Sequence, residues 1–229
     1  MDTTVIILLV LGAVAGNVVL VWAIRKGGQR DAAIAAFAQG QGWTHEKTTE
    51  RFASVVTIAD PKDGWRLETR TLHSRSNEGS GGAKTRTTWT APDLSIPEGT
   101  AVYGPPLPAK TVQMMGKFMG EDGGLAGFLI KAFTRKLGTD VDGLTVIEGR
   151  DDPATLLATP GEEHVFDALI GAEELFRLND FGSNVAEAPF LVRNQDGLVL
   201  RLNRRLKTPE ELAAFVDAGQ SLADRLRSH

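Results

Sequence analysis

Acid–base chemistry near neutral pH rests in this chain on four histidines, His45, His73, His164 and His229; there is one tyrosine, Tyr103, and no cysteine. The lack of cysteine excludes disulfide staples, a thiol nucleophile and Cys-ligated zinc or iron–sulfur centres, and leaves the compartment open. Zinc would need histidines or carboxylates at helical or hairpin spacing, but the four histidines lie far apart and none belongs to an H-E-x-x-H. His164 and Asp167 stand one helical turn apart beside Glu162 and Glu163, an arrangement that reads as an acid-rich helix start before it reads as a catalytic pair. The loop Gly79-Ser80-Gly81-Gly82-Ala83-Lys84-Thr85 invites a phosphate-binding reading. It lacks glycine where Glu78 and Ala83 stand, and strand-like residues follow Lys84 in place of a helix. Asp140-Val141-Asp142-Gly143 resembles part of a calcium loop, yet that register puts Gly149 at the twelfth ligand, where a bidentate carboxylate is required. No G-x-S-x-G or dinucleotide fingerprint is present, so the sequence predicts no catalytic, metal or cofactor set. A hydrolase with a dispersed site around His73 or His164 is the enzymatic alternative.

Two basic groupings are candidate interaction surfaces. Arg66, Arg70, Arg75, Lys84 and Arg86 fall on adjacent predicted strands around the Gly/Ser loop, a basic face able to meet acidic protein, lipid headgroups or RNA. The plain alternative is a solvated sheet face whose charges guard an edge, partly neutralised by Glu68 and Glu78. The second grouping lies on a predicted amphipathic helix, 124–137, where Leu125, Phe128, Leu129, Ile130, Ala132, Phe133 and Leu137 make a broad apolar arc flanked by Lys131 and Arg135. Such a helix packs on its own domain or lies on a leaflet. The methionines ahead of it, Met114, Met115 and Met119, would also suit an adaptable partner surface. Arg66, Arg70, Arg86, Lys131 and Arg135 are thereby the candidate interaction residues.

The element that must position all of this is the N-terminus. Residues 3–24 contain no charge and include Val5, Ile6, Ile7, Leu8, Leu9, Val10, Leu11, Val18, Val19, Leu20 and Val21, with Trp22 near the end. As a helix this run reaches about 33 Å at about 1.5 Å per residue, which matches a hydrocarbon core of about 30 Å. A cleaved signal peptide would begin with basic residues and have a shorter apolar stretch; here Asp2 precedes the run and Arg25-Lys26 follow it. The basic flank Arg25, Lys26 and Arg30 predicts a single-pass span of the inner membrane, with the N-terminus outside and the remainder cytoplasmic. Gly12 and Gly16 form a GxxxG that would allow homodimerisation through the span.

The 229-residue chain is 42% hydrophobic, and 25 basic against 29 acidic residues leave a net charge of −4. That balance argues against a nucleic-acid partner. The expected fold is α+β: a transmembrane helix, then an antiparallel β meander with packed helices in two subdomains, 31–108 and 109–229. Asp31 is expected to cap a helix 31–39 that ends at Gly40. Strands are expected near 51–59, 65–73, 84–90, 100–103 and 143–148, helices at 153–159 and 160–170, and a hairpin over 188–203 turning at Asp196-Gly197. The last helix opens with the capping box Thr208-Pro209-Glu210-Glu211, and Gly219 within it implies close approach to a neighbour.

A short helix ending in Gly-Gln-Gly-Trp43 after an apolar N-terminus, a polar-decorated meander, Asp151-Asp152-Pro153, a hairpin and Leu212-Ala-Ala-Phe215-Val216-Asp217 resemble a loose group of uncharacterised bacterial single-pass membrane proteins. The resemblance implies an anchor plus a cytoplasmic α+β domain and carries over no catalytic residue. The expected function is that of a non-enzymatic accessory or regulatory protein, its partners the bilayer and another protein. A domain binding a lipid or other amphiphile is a further alternative.

Overall fold

The computed structural model describes residues 27–73, 84–104, 144–147, 155–172 and 189–228. The predicted span 3–24, the Gly/Ser loop, the Met-rich stretch and the helix 124–137 lie outside them. Among the described residues no helix is long and apolar enough to cross a membrane. A helix over 27–40 (α1) leads to strands β1 (Thr44–Glu50), β2 (Ala53–Ala59), β3 (Arg66–Leu72), β4 (Lys84–Ala91) and β5 (Ala101–Gly104). Then come β6 (Thr145–Val146), β7 (Thr155–Ala158), β8 (Phe190–Asn194), β9 (Gly197–Leu202) and the helix α2 (Pro209–Arg227). All the described strands join one antiparallel sheet in the order β1-β2-β3-β4-β9-β8-β5-β7-β6. The class is therefore α+β. The expected boundary at 108 does not separate two sheets, because β4 pairs with β9, and β5 pairs with both β7 and β8.

The sheet has two unlike halves, and the residue pattern explains both. Strands β3 and β4 alternate, with Leu67 and Trp89 buried beside Ile58 of β2 on the face covered by the helices while Arg66, Glu68 and Arg70 point the other way; on β2, Ala53 and Val55 are buried on that second face. Strands β5, β7, β8 and β9 are near-continuous apolar runs (Val102-Tyr103, Leu156-Leu157, Phe190-Leu191-Val192, Leu198-Val199-Leu200) and are buried on both faces. The helix-covered face is the main core. It is lined by Ile34 and Ala38 of α1, by Phe166 and Leu169, and by one stripe of α2: Leu212, Phe215, Val216, Leu222 and Leu226. Phe37, Trp43, Trp65 and Trp89 extend in an aromatic row from α1 into the sheet, with centroids 5.9, 4.9 and 6.4 Å apart.

Several local expectations hold. Thr208 caps α2 by accepting the Glu211 N–H at 3.3 Å, with Pro209 in the first turn. The Glu211 carboxylate reaches back to the Lys207 N–H at 2.6 Å. Gly219 packs under an indole, since a Cβ there would sit 2.5 Å from Trp89 Cδ2. Gly219→Ala should therefore lower stability by about 1–2 kcal/mol, the overpacking penalty outweighing a helix-propensity gain of about 1 kcal/mol. Chemical denaturation giving an unchanged or higher midpoint would refute that packing.

Other expectations are corrected. Asp31 does not cap a helix: it lies inside α1, and its carboxylate pairs with Lys47 at 3.0 Å and with Arg205. The expected helix 153–159 is strand β7 over Thr155–Ala158, because the three-residue apolar run Leu156-Leu157-Ala158, followed closely by Pro160-Gly161, is too short for an amphipathic helix. The segment 160–170 is a series of turns ending in a single 3-10 turn, Asp167–Leu169. The strand expected at 143–148 is limited to Thr145–Val146.

Candidate functional site

Alternation along β3 and β4 puts Arg66, Glu68 and Arg70, then Arg86, Thr88 and Thr90, on the sheet face opposite the helices. The register sets Arg70 directly across from Arg86, Glu68 across from Thr88, and Arg66 across from Thr90. Pairing of β4 with β9 then brings Arg201 opposite Thr88. The result is a concavity of about 430 Å³ whose walls are Arg66, Glu68, Arg70, Arg86, Thr88, Thr90, Pro92 and Arg201.

Like charges directly opposed across a ladder are unfavourable, so each guanidinium needs an answer. Arg66 bonds Glu68 at 3.2 Å and Arg70 pairs with Glu50 of β1, both at the exposed rim, where such pairs contribute little to stability. Among the described residues Arg86 has no carboxylate partner. Arg201 lies at the seam between the charged and the apolar half of this face, with its guanidinium 5.8 Å from the centroid of the buried Phe190 ring. Burial, and secondarily the charge of Arg86, depresses its pKa to about 10.

Of the five expected interaction residues, Arg66, Arg70 and Arg86 meet in this cleft, while Lys131 and Arg135 lie outside the described residues. Lys84 is exposed at the start of β4, and Arg75 is not among the described residues. Arg201 was missed. Its one sequence signal is a charge interrupting the apolar run Gly-Leu-Val-Leu-Arg-Leu of β9, and its neighbours come from a strand more than a hundred residues earlier.

The histidines are not gathered. His164 Nδ1 lies 2.9 Å from Asp167 Oδ2, but the His164 side chain is 85% exposed, and the pair stands on an open turn. Beside it the Glu163 carboxylate accepts the Gly161 N–H, which holds its pKa below the usual range. His73 is exposed at the end of β3, and His45 is half-buried on β1. Among the described residues no group of three or more histidines and carboxylates could hold a metal ion. An apolar-lined cavity between α1 and the sheet, bounded by Ile34, Val56, Ile58 and Leu67, has a volume of about 30 Å³. That is room for a water and not for an acyl chain.

A second cleft, about 520 Å³, lies between α2 and the loops flanking the aromatic row. Its carboxylates are engaged: Arg227 holds Asp93 at 2.8 Å and Asp224 at 2.6 Å, and Gln220 donates to Asp63 at 3.2 Å. The hydrogen bond from Arg227 keeps the Asp93 carboxyl below the usual carboxylate range. A depressed folded pKa adds stability that is present above the unfolded value of about 3.9 and is lost as the pH falls through the folded value. Arg227→Gln should therefore flatten the acid limb of the stability profile below about pH 4. The effect is small for so exposed a pair, and superimposable melting profiles for the two proteins in that range would contradict it.

No protein-family model matches the chain, and no curated protein sequence matches it.

Proposed function

We propose that the protein is a non-enzymatic accessory or regulatory protein, tethered to the inner membrane by residues 3–24, with the domain on the cytoplasmic side binding another protein. This is the arrangement of the loose group of bacterial single-pass proteins that the sequence resembles. The supporting observation is the arginine cleft at the centre of an open, charged half-sheet in a chain whose net charge is −4. A basic concavity on an otherwise acidic body attracts an acidic segment. The half-sheet also carries Glu46, Glu50 and Glu68, which makes it a mixed polar surface of the kind non-obligate partners use.

Affinity capture of the full chain from a detergent extract tests this directly. The expected result is one stoichiometric partner, lost when Arg66, Arg70 and Arg86 are all replaced by Glu. Repeated recovery of no stoichiometric partner, or of the same partner with the charge-reversed chain, would overturn the reading. Protease protection of a C-terminal tag in intact cells tests the orientation. Cleavage from the outside would place the domain on the other side.

A further inference from the structure

We infer that the cleft formed by Arg66, Arg70, Arg86 and Arg201 is a binding site for a phosphate group, carried by a phosphorylated small molecule or a lipid headgroup. This goes beyond the protein-docking reading, because it assigns a ligand to the concavity at the centre of the face.

The neighbouring strands β3 and β4 and the sequence-distant β9 contribute to the cleft, and among the described residues its lining holds the guanidinium groups of Arg66, Arg70, Arg86 and Arg201 and the Glu68 carboxylate. Glu68 in the cleft answers Arg66 and Glu50 of β1 answers Arg70, while Arg86 has no carboxylate partner among the described residues. Arg70 and Arg86 face each other across the ladder, a repulsion that a bound dianion would relieve in a way a single carboxylate would not. Guanidinium forks and the hydroxyls of Thr88 and Thr90 are donors matched to the several acceptor oxygens of a phosphate. A metal cation or a cationic peptide would be repelled. The volume, about 430 Å³, suits a phosphate with a small substituent. Arg201 is held charged in surroundings that disfavour charge, which lowers its pKa to about 10.

The test is titration of the full chain in detergent with inorganic pyrophosphate at low salt, followed by isothermal calorimetry. A parallel arm uses co-sedimentation with phosphatidylcholine vesicles with and without phosphatidylinositol 4-phosphate. Saturable one-to-one binding is expected, weakened about tenfold or more in Arg86→Gln and in Arg201→Met, with Lys84→Gln unchanged because Lys84 lies outside the cleft. Arg201→Lys, which keeps the charge, should retain most of the binding lost in Arg201→Met, which a purely structural arginine would not do. If that variant fails to fold, Arg86→Gln, which removes no ion pair among the described residues, still decides the matter. Binding of pyrophosphate identifies a free phosphorylated ligand; binding to the phosphoinositide vesicles alone identifies a headgroup. No binding in either arm, or binding that survives Arg86→Gln, overturns the inference. Recovery of no stoichiometric protein partner by the unaltered chain, with its pyrophosphate binding intact, would instead count against the docking reading alone.

Discussion

Replacing Trp89 by Ala is expected to destabilise the domain by about 3–5 kcal/mol, the range for removing a large aromatic from a packed core. Trp89 is 1% exposed, lies beneath α2 with its ring against Gly219, and stands next to Trp65 at a centroid separation of 6.4 Å. No nearby side chain can collapse into the space, since α2 and the sheet are each held by other contacts on the same face. For a chain of this size the corresponding fall in melting temperature is roughly 10 °C. Near-ultraviolet circular dichroism would follow it through loss of the aromatic signal. A fall of no more than about 2 °C would mean that α2 does not sit on the sheet in this way.

Gly197→Ala is expected to cost about 3 kcal/mol through two effects that act together. Gly197 has φ +118°, and a Cβ there would lie 2.3 Å from the Ala91 carbonyl oxygen and 2.7 Å from Pro92 Cα. Both contacts are backbone, so neither can swing aside. The residue opens β9 beside the Ala91–Leu198 pair, the end of the ladder that joins the two halves of the sheet. Displacing it should loosen the β4–β9 pairing and carry Arg201 away from Arg86. The substitution should therefore weaken pyrophosphate binding as well as lower the urea midpoint. A folded Gly197→Ala protein with the wild-type midpoint would contradict both the strain and the close approach.

How much of this was legible in the sequence depended on whether the signal was local. The alternation of Trp65, Leu67 and Thr69 against Arg66, Glu68 and Arg70 named both faces of β3. The Thr208-Pro209 cap marked the start of α2, and Asp196-Gly197 marked a hairpin. Strand β1 was harder to see because Thr-His-Glu-Lys-Thr-Thr-Glu has no apolar face: it is the sheet's edge, and most of it is exposed. Strand β7 was mistaken for a helix because Leu156-Leu157 is buried on both sides, and an apolar run of that length carries no period. Asp31 looked like a cap because its ion-pair partners, Lys47 and Arg205, are remote in sequence. The cleft was half visible. Arg66, Arg70 and Arg86 followed from a local meander, whereas Arg201 arrives only through the β4–β9 pairing, a choice of strand neighbour that no local pattern encodes.

The open half-sheet as the binding surface is tested most directly by placing a photo-crosslinking amino acid at Thr88, on the floor of the arginine cleft, and at Asp217, exposed on α2, in the full chain expressed in its native host. Irradiation should give one discrete protein adduct from position 88, abolished by the triple Arg66, Arg70 and Arg86 reversal to Glu, and none from position 217. No adduct from position 88, or the same adduct from both positions, would contradict it.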